Sequence, residues 1–187
     1  MGRLANHLPV MPVTAIFSRH QDALNWAKEQ AVMHWGPLAL ESSYLPFDNT
    51  RYYAHEMGAD LLLQLVAFAQ FIPPPELVTR KLTANSLEEA CAATHSFPEK
   101  RPVNIDPGYL TLGKFVLATT KDAAHRLYLG QGIFAEVTLH YAHGAWQHFP
   151  WTYPNYQQEA YQSFLLDCRR YYREHLNPDA NKTAEDG

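Results

Sequence analysis

"DLLLQLVAFAQFI", residues 60–72, is apolar at nearly every position. A run with no polar face can be a buried strand or a buried helix, and periodicity alone does not separate the two. Pro73, Pro74 and Pro75 follow it, and proline suits the first turn of a helix. The segment "PELVTRKLTANSLEEACAAT" (75–94) is therefore expected to be helical, and 60–72 to be the strand that feeds it. Ser86 with Glu89 matches a capping box, which allows two shorter helices broken near Asn85.

Upstream, "VTAIFS" (13–18) is β-branched and aromatic, as a short buried strand requires. It runs into "QDALNWAKEQAVMHWG", where Leu24, Ala27, Ala31 and Trp35 recur at helical spacing and Gly36-Pro37 supplies a stop. "LALESSYLPF" (38–47) reads as a second strand ended near Pro46, and "FDNTRYY" (47–53) has turn chemistry. Downstream, "RPVNIDPGYL" and "GKFVLATT" supply strand material interrupted at Pro107-Gly108, a turn or bulge signal. A meander follows, with turns at Gly130-Gln131-Gly132 and His143-Gly144. Tyr161, Phe164, Leu165, Cys168 and Tyr172 mark the buried face of a closing helix, with Arg169, Arg170 and Arg173 on its wetter side. The expected class is α+β: a ferredoxin-like βαββαβ core extended by a C-terminal β meander and a closing helix. One domain is expected over 13–176, between a flexible N-terminus (1–12) and a disordered tail (177–187).

The 187 residues are 47% apolar and 18% charged, enough for one good core. A net charge of −4 disfavours nucleic acid as a partner, because binding along phosphates needs a basic stripe. No stretch is long and apolar enough to span a membrane. Cys91 and Cys168 form no CxxC motif and read as small buried hydrophobes, consistent with a reducing, cytoplasmic setting. Neither a cofactor nor an oligomeric state is indicated.

Ionisable residues gather in the third quarter of the chain. Alternation along "IFAEVTLHY" places Ile133, Ala135, Val137, Leu139 and Tyr141 on one face, and Phe134, Glu136, Thr138 and His140 on the other. Glu136 then needs a partner if its face is covered, and Arg126 is the obvious one. Two alternatives follow: an ion pair on a solvated sheet face, or a polar pocket lined by Asp106, Lys121, His125, Arg126 and Glu136. In the pocket, Lys121 and Arg126 would hold phosphate or carboxylate, and His125 would act as acid or base with Glu136. Asp106 precedes Pro-Gly and reads first as a turn residue, with a ligand-binding role as the other option. Glu56 is a further catalytic candidate and Tyr53 a further ligand-binding one, both within "TRYYAHEMG". His140, His143 and His148 fit no tetrahedral spacing, so no metal is expected. There is no G-x-S-x-G elbow either.

"FDNTRYYAHEMG" (47–58), "NIDPGYLT" (104–111), "LATTKDAAHRLYLGQGIFAEVTL" (117–139) and "WTYPNY" (151–156), in that order, resemble the family catalogued as domain of unknown function 4416. The last motif departs at Asn155, where the resemblance implies Asp. The family resemblance carries a GTP-binding label that the residues do not support: there is no G-x-x-x-x-G-K-[ST] loop, and "TTKD" is not an N-K-x-D segment. The expected function is a small-molecule binding domain or enzyme for an anionic, phosphorylated or carboxylated ligand. The alternative is a non-catalytic protein- or RNA-interaction module that uses exposed aromatics and arginines. Whether the chain is an enzyme stays open at this level.

Overall fold

The structure is a computed structural model and describes residues 7–47 and 54–176. It is α+β. Among the described residues the elements run β1 (Met11–Ser18), α1 (Gln21–Trp35), β2 (Leu38–Glu41), β3 (Leu45–Pro46), α2 (Ala54–Met57), β4 (Leu62–Phe68) and α3 (Glu76–Thr94). They continue with β5 (Asn104–Leu110), β6 (Lys114–Thr119), β7 (Leu127–Gly130), β8 (Ile133–Ala142), β9 (Ala145–His148), a 3-10 turn (Pro154–Gln157) and α4 (Glu159–Leu176). The strands form one antiparallel sheet in the order β2-β4-β1-β5-β6-β8-β7, with β3 also on β4 and β9 also on β8.

The run at 60–72 lacks a polar face because β4 is covered on both sides. Leu63, Leu65 and Ala67 join the cluster under α4, while Val66 and Phe68 join the one under α1 and α3. The same holds for β1, where Ala15 and Phe17 face α4 and Ile16 faces the other helices. Gln64, the polar exception in β4, donates to the Ser42 carbonyl at 2.9 Å. Cys91 and Cys168 are unpaired and buried, one in each helical layer, and burial pushes the Cys91 thiol up to about 11.

Several boundaries differ from expectation. β1 begins at Met11, and Val10 bridges Ile72, so the chain is already ordered before residue 13. The stretch at 38–47 forms two short strands rather than one. α3 is one unbroken helix; Ser86 lies inside it and its hydroxyl donates back to the Leu82 carbonyl at 3.2 Å, which removes the capping box. Pro107-Gly108 is not a turn. β5 runs straight through it, with Pro107 opposite Thr14 and Gly108 between Val13 and Leu117. Alternation in β8 is interrupted by a register shift opposite Phe115 and Val116. Val137 packs towards α3 and Leu139 towards α4 in consequence. The expected turn at 47–53 lies almost wholly outside the described residues, as do Tyr52 and Tyr53.

Gly108 is required by close approach rather than by backbone angle. A Cβ there would sit 2.3 Å from the Val116 carbonyl oxygen and 2.9 Å from a Leu117 methyl. Backbone on the neighbouring strand cannot retreat without breaking the β5–β6 ladder. Gly108→Ala is expected to cost about 3 kcal/mol, at the upper end of overpacking penalties. Urea unfolding measures this, and a loss below about 0.5 kcal/mol, the level of ordinary surface substitutions, would contradict it.

Candidate functional site: a polar cleft where two strands part

β5 and β6 pair only at Gly108, Tyr109 and Leu110 against Leu117, Val116 and Phe115. Before that point β5 stays with β1 as far as Asn104, and beyond it β6 stays with β8 as far as Thr119. The two strands therefore diverge. Pro107 stands where the ladder would continue, and proline has no N–H to offer a strand. The backbone of Ile105, without a partner strand on that side, is satisfied by α3 instead: its N–H donates to Glu88 Oε1 at 2.8 Å, and its carbonyl accepts from Lys81 Nζ at 2.9 Å. Two charged side chains thus replace a neighbouring strand.

The gap is a cleft of about 110 Å³. That is smaller than the roughly 300–1,000 Å³ of drug-sized sites, and suits one small charged group with some water. Ala15, Phe17, Phe47 and Leu63 form its apolar base.

On the β5 wall, Lys81 Nζ lies 3.0 Å from Asp106 Oδ1 and 4.0 Å from Glu88. Arg101 donates to Glu88 Oε2 through Nε at 3.1 Å and Nη2 at 2.8 Å, and also bonds Asn104. Asn104 passes the network on to Asp106 Oδ2 at 2.8 Å. Burial pushes the Glu88 carboxyl up, against the pull of Lys81 and Arg101. Asp106 is therefore a partner of Lys81 in mid-strand, and its expected turn role is overturned because β5 does not turn there.

On the facing wall, Glu136 is only 2% exposed at its side chain. Its Oε2 accepts from Arg126 Nε at 2.8 Å and lies 3.2 Å from His125 Nε2, and Thr138 Oγ1 donates to Oε1 at 3.4 Å. Arg126 also donates to the Lys121 carbonyl at 2.9 Å and the Tyr153 hydroxyl at 3.3 Å. Burial pulls the Arg126 pKa down, but its bond to Glu136 and that carboxylate's charge leave it above the ordinary value. The pair is buried, so the alternative of a solvated sheet-face ion pair does not hold.

Of the residues singled out from sequence, Asp106, Lys121, Arg126 and Glu136 line one cleft. His125 does not line it; its ring stacks on Trp151 at 5.1 Å and reaches Glu136 from the side. Glu56, 58% exposed at its side chain, stands on the outer side of Arg101 at 3.9 Å and is not part of the lining. Tyr53 lies outside the described residues. Sequence reasoning missed Lys81, Arg101 and Asn104, and it did not pick out the inward-facing residues of "FPWTYPNY" (149–156). There the inward-facing residues are Thr152, Asn155 and Tyr156, whereas Trp151 and Tyr153 are partly exposed. Tyr153, Asn155 and Tyr156 close the cleft, and burial raises the Tyr156 hydroxyl well above its usual range. No group of three or more His, Cys, Asp or Glu among the described residues is placed to hold a metal ion.

The Arg126–Glu136 pair yields a direct test. Arg126→Met leaves a buried carboxylate without its main partner and is expected to cost about 3–5 kcal/mol. Adding Glu136→Gln should restore most of that loss. Urea unfolding of both variants reads the difference; a single variant costing under about 1 kcal/mol would show that the pair is solvated.

Searches of the curated proteins and of the solved structures found no match to this chain. The model of the domain of unknown function DUF4416 matches residues 8–172, from the approach to β1 through nearly all of α4, and so takes in both walls of the cleft. The chain belongs to the DUF4416 family.

Proposed function

We propose that the cleft between β5 and β6 binds a small molecule through a phosphate or carboxylate group, either as a ligand-binding domain or as an enzyme site. One observation carries this. Four cationic side chains, Lys81, Arg101, Lys121 and Arg126, line the cleft against three carboxylates, Asp106 and Glu136 in the lining and Glu88 behind Lys81 and Arg101, an excess of one positive charge. They come from α3, the loop after it and the segment between β6 and β7, so folding and not local sequence gathers them. Ion pairs that serve structure alone need no surplus of one sign. An excess of positive charge in a low-dielectric cleft favours an anion.

The roles follow from exposure. Lys121 is exposed at the mouth of the cleft and Arg126 is held by Glu136, the Lys121 carbonyl and Tyr153, so an entering anion would meet Lys121 first and Arg126 further in. Asn155 lines the same space. An acid at that position would subtract from the positive surplus, and the amide here keeps it. His125 lies outside the lining and would act in catalysis only through Glu136, 3.2 Å from its ring; Glu56 is further out and would act only through Arg101. The strand order β2-β4-β1-β5 with α1 and α3 on one face supports treating that half of the sheet as a ferredoxin-like unit. Two free buried thiols support a cytoplasmic setting. No helix among the described residues is long and apolar enough to cross a membrane.

A thermal-shift series with inorganic phosphate, sugar phosphates, nucleotides and dicarboxylates tests the proposal. A binder at 100-fold over its Kd should add about 2.7 kcal/mol, roughly 5–10 °C for a chain of this size. Lys121→Ala should keep the unliganded midpoint, Asn155→Asp should lower it by burying a carboxylate, and each, compared with its own unliganded protein, should weaken the best anion about tenfold or more, or about 1.4 kcal/mol. No shift with any anion, or equal shifts in wild type and both variants, would refute it.

A further inference from the structure

A second cleft, of about 370 Å³, lies at the end of α1, away from the strand fork, and contains a buried guanidinium that Glu76 compensates only in part. Its walls are His34, Trp35 and Gly36 from α1, Gln70 and Ile72 after β4, and Glu76, Thr79, Arg80 and Thr83 on one face of α3. Arg80 is 6% exposed. Its guanidinium carbon sits 5.2 Å from the Trp35 ring centre and 5.3 Å from that of Phe68. Nε and Nη1 are buried with no hydrogen-bond acceptor. Burial lowers the Arg80 pKa to about 10, and Glu76 offsets this only in part. A buried guanidinium has five donors, and two aromatic faces do not supply acceptors for them. Structure alone would be served as well by an apolar side chain of similar length.

From these residues we propose that the cleft around Arg80 binds a zwitterionic small molecule, its carboxylate on the guanidinium and its ammonium towards Glu76. The planar fork of Arg80 suits a carboxylate. Two features in the same cleft are negative: the Glu76 side chain, one turn before Arg80 on α3, and the C-terminal end of α1, where backbone carbonyls carry the negative pole of the helix. A phosphate, with its larger charge, would be repelled by both. A cation alone would meet Arg80. A molecule with one charge of each sign, a few bonds apart, satisfies the positive centre and the negative rim together. Thr79, Thr83 and Gln70 offer neutral hydrogen bonds around the middle, and Trp35 and Ile72 pack against a short methylene chain. This site does not depend on the strand-fork cleft: Arg80 and Lys81 are adjacent on α3, and they serve separate cavities.

Isothermal titration calorimetry on the full chain with 4-aminobutyrate, butyrate and butylamine separates the contributions. 4-Aminobutyrate should bind at least tenfold tighter than butyrate, and butylamine should not bind at all. Arg80→Met should abolish binding of both acids while leaving the melting point unchanged or higher. Glu76→Gln, at an exposed position that the fold tolerates, should bring 4-aminobutyrate down to the level of butyrate. Lys121→Ala, which weakens the fork site, should change none of these values. The proposal is overturned if no acid binds at about 10 mM, if the amino group adds nothing, or if either cleft variant binds as wild type does.

Discussion

The strand fork rests on the buried backbone of Ile105, which has no partner strand on its β6 side. Where β5 and β6 part, a strand edge would be left with an unpaired N–H and carbonyl, a costly state inside a protein and an invitation to aberrant pairing outside one. Lys81 and Glu88, on one face of α3, supply the missing partners. Hydrogen bonds to charged groups are worth roughly 1.5–3 kcal/mol each, more than the neutral ladder bonds they replace. These bonds offset the missing ladder, against the cost of burying the Lys81 and Glu88 charges. Pro107 at the crotch and Gly108 beside it set where the parting begins, one by lacking an N–H and the other by letting β6 approach to 2.3 Å of a missing Cβ.

The consequences spread outward from there. Once the gap exists, Lys81 reaches from the helical side of the sheet to Asp106, and Arg101 is drawn in by Glu88 and Asn104. Across the cleft Glu136 holds Arg126, which in turn organises the Lys121 carbonyl and Tyr153. Each wall is internally paired. With Glu88 counted, four cations face three carboxylates, and that small positive excess is what supports the proposed anion site. α3 is the shared wall of both proposed sites. Its buried stripe carries Lys81 towards the fork, and its flank carries Arg80 towards the end of α1.

How much of this the sequence shows depends on how local each contact is. Lys121, Arg126 and Glu136 are legible because one hairpin brings them together, and alternation along β8 already turns Glu136 away from Val137. Asp106 is visible as a residue but not in its role, since Asp-Pro-Gly is ordinary turn chemistry until tertiary pairing with Thr14 and Val13 forces it straight. Lys81 and Arg101 depend on contacts across 25 and 13 residues, which no local pattern contains. A signal was present nonetheless: Lys81 and Glu88 fall on the same helical stripe as Leu77, Ala84 and Cys91, where charge is out of place unless it is used. The strand at 60–72 has no periodicity for the opposite reason, being buried on both faces.

We propose that the cleft between β5 and β6 is held open to receive an anion. The most direct test is a crystal structure of the protein soaked with tungstate, a phosphate-like oxyanion located by its anomalous signal. A tungstate is expected within hydrogen-bond reach of Lys121 and at least one of Lys81, Arg101 and Arg126. An ordered, empty cleft in crystals that hold tungstate elsewhere on the surface would contradict it.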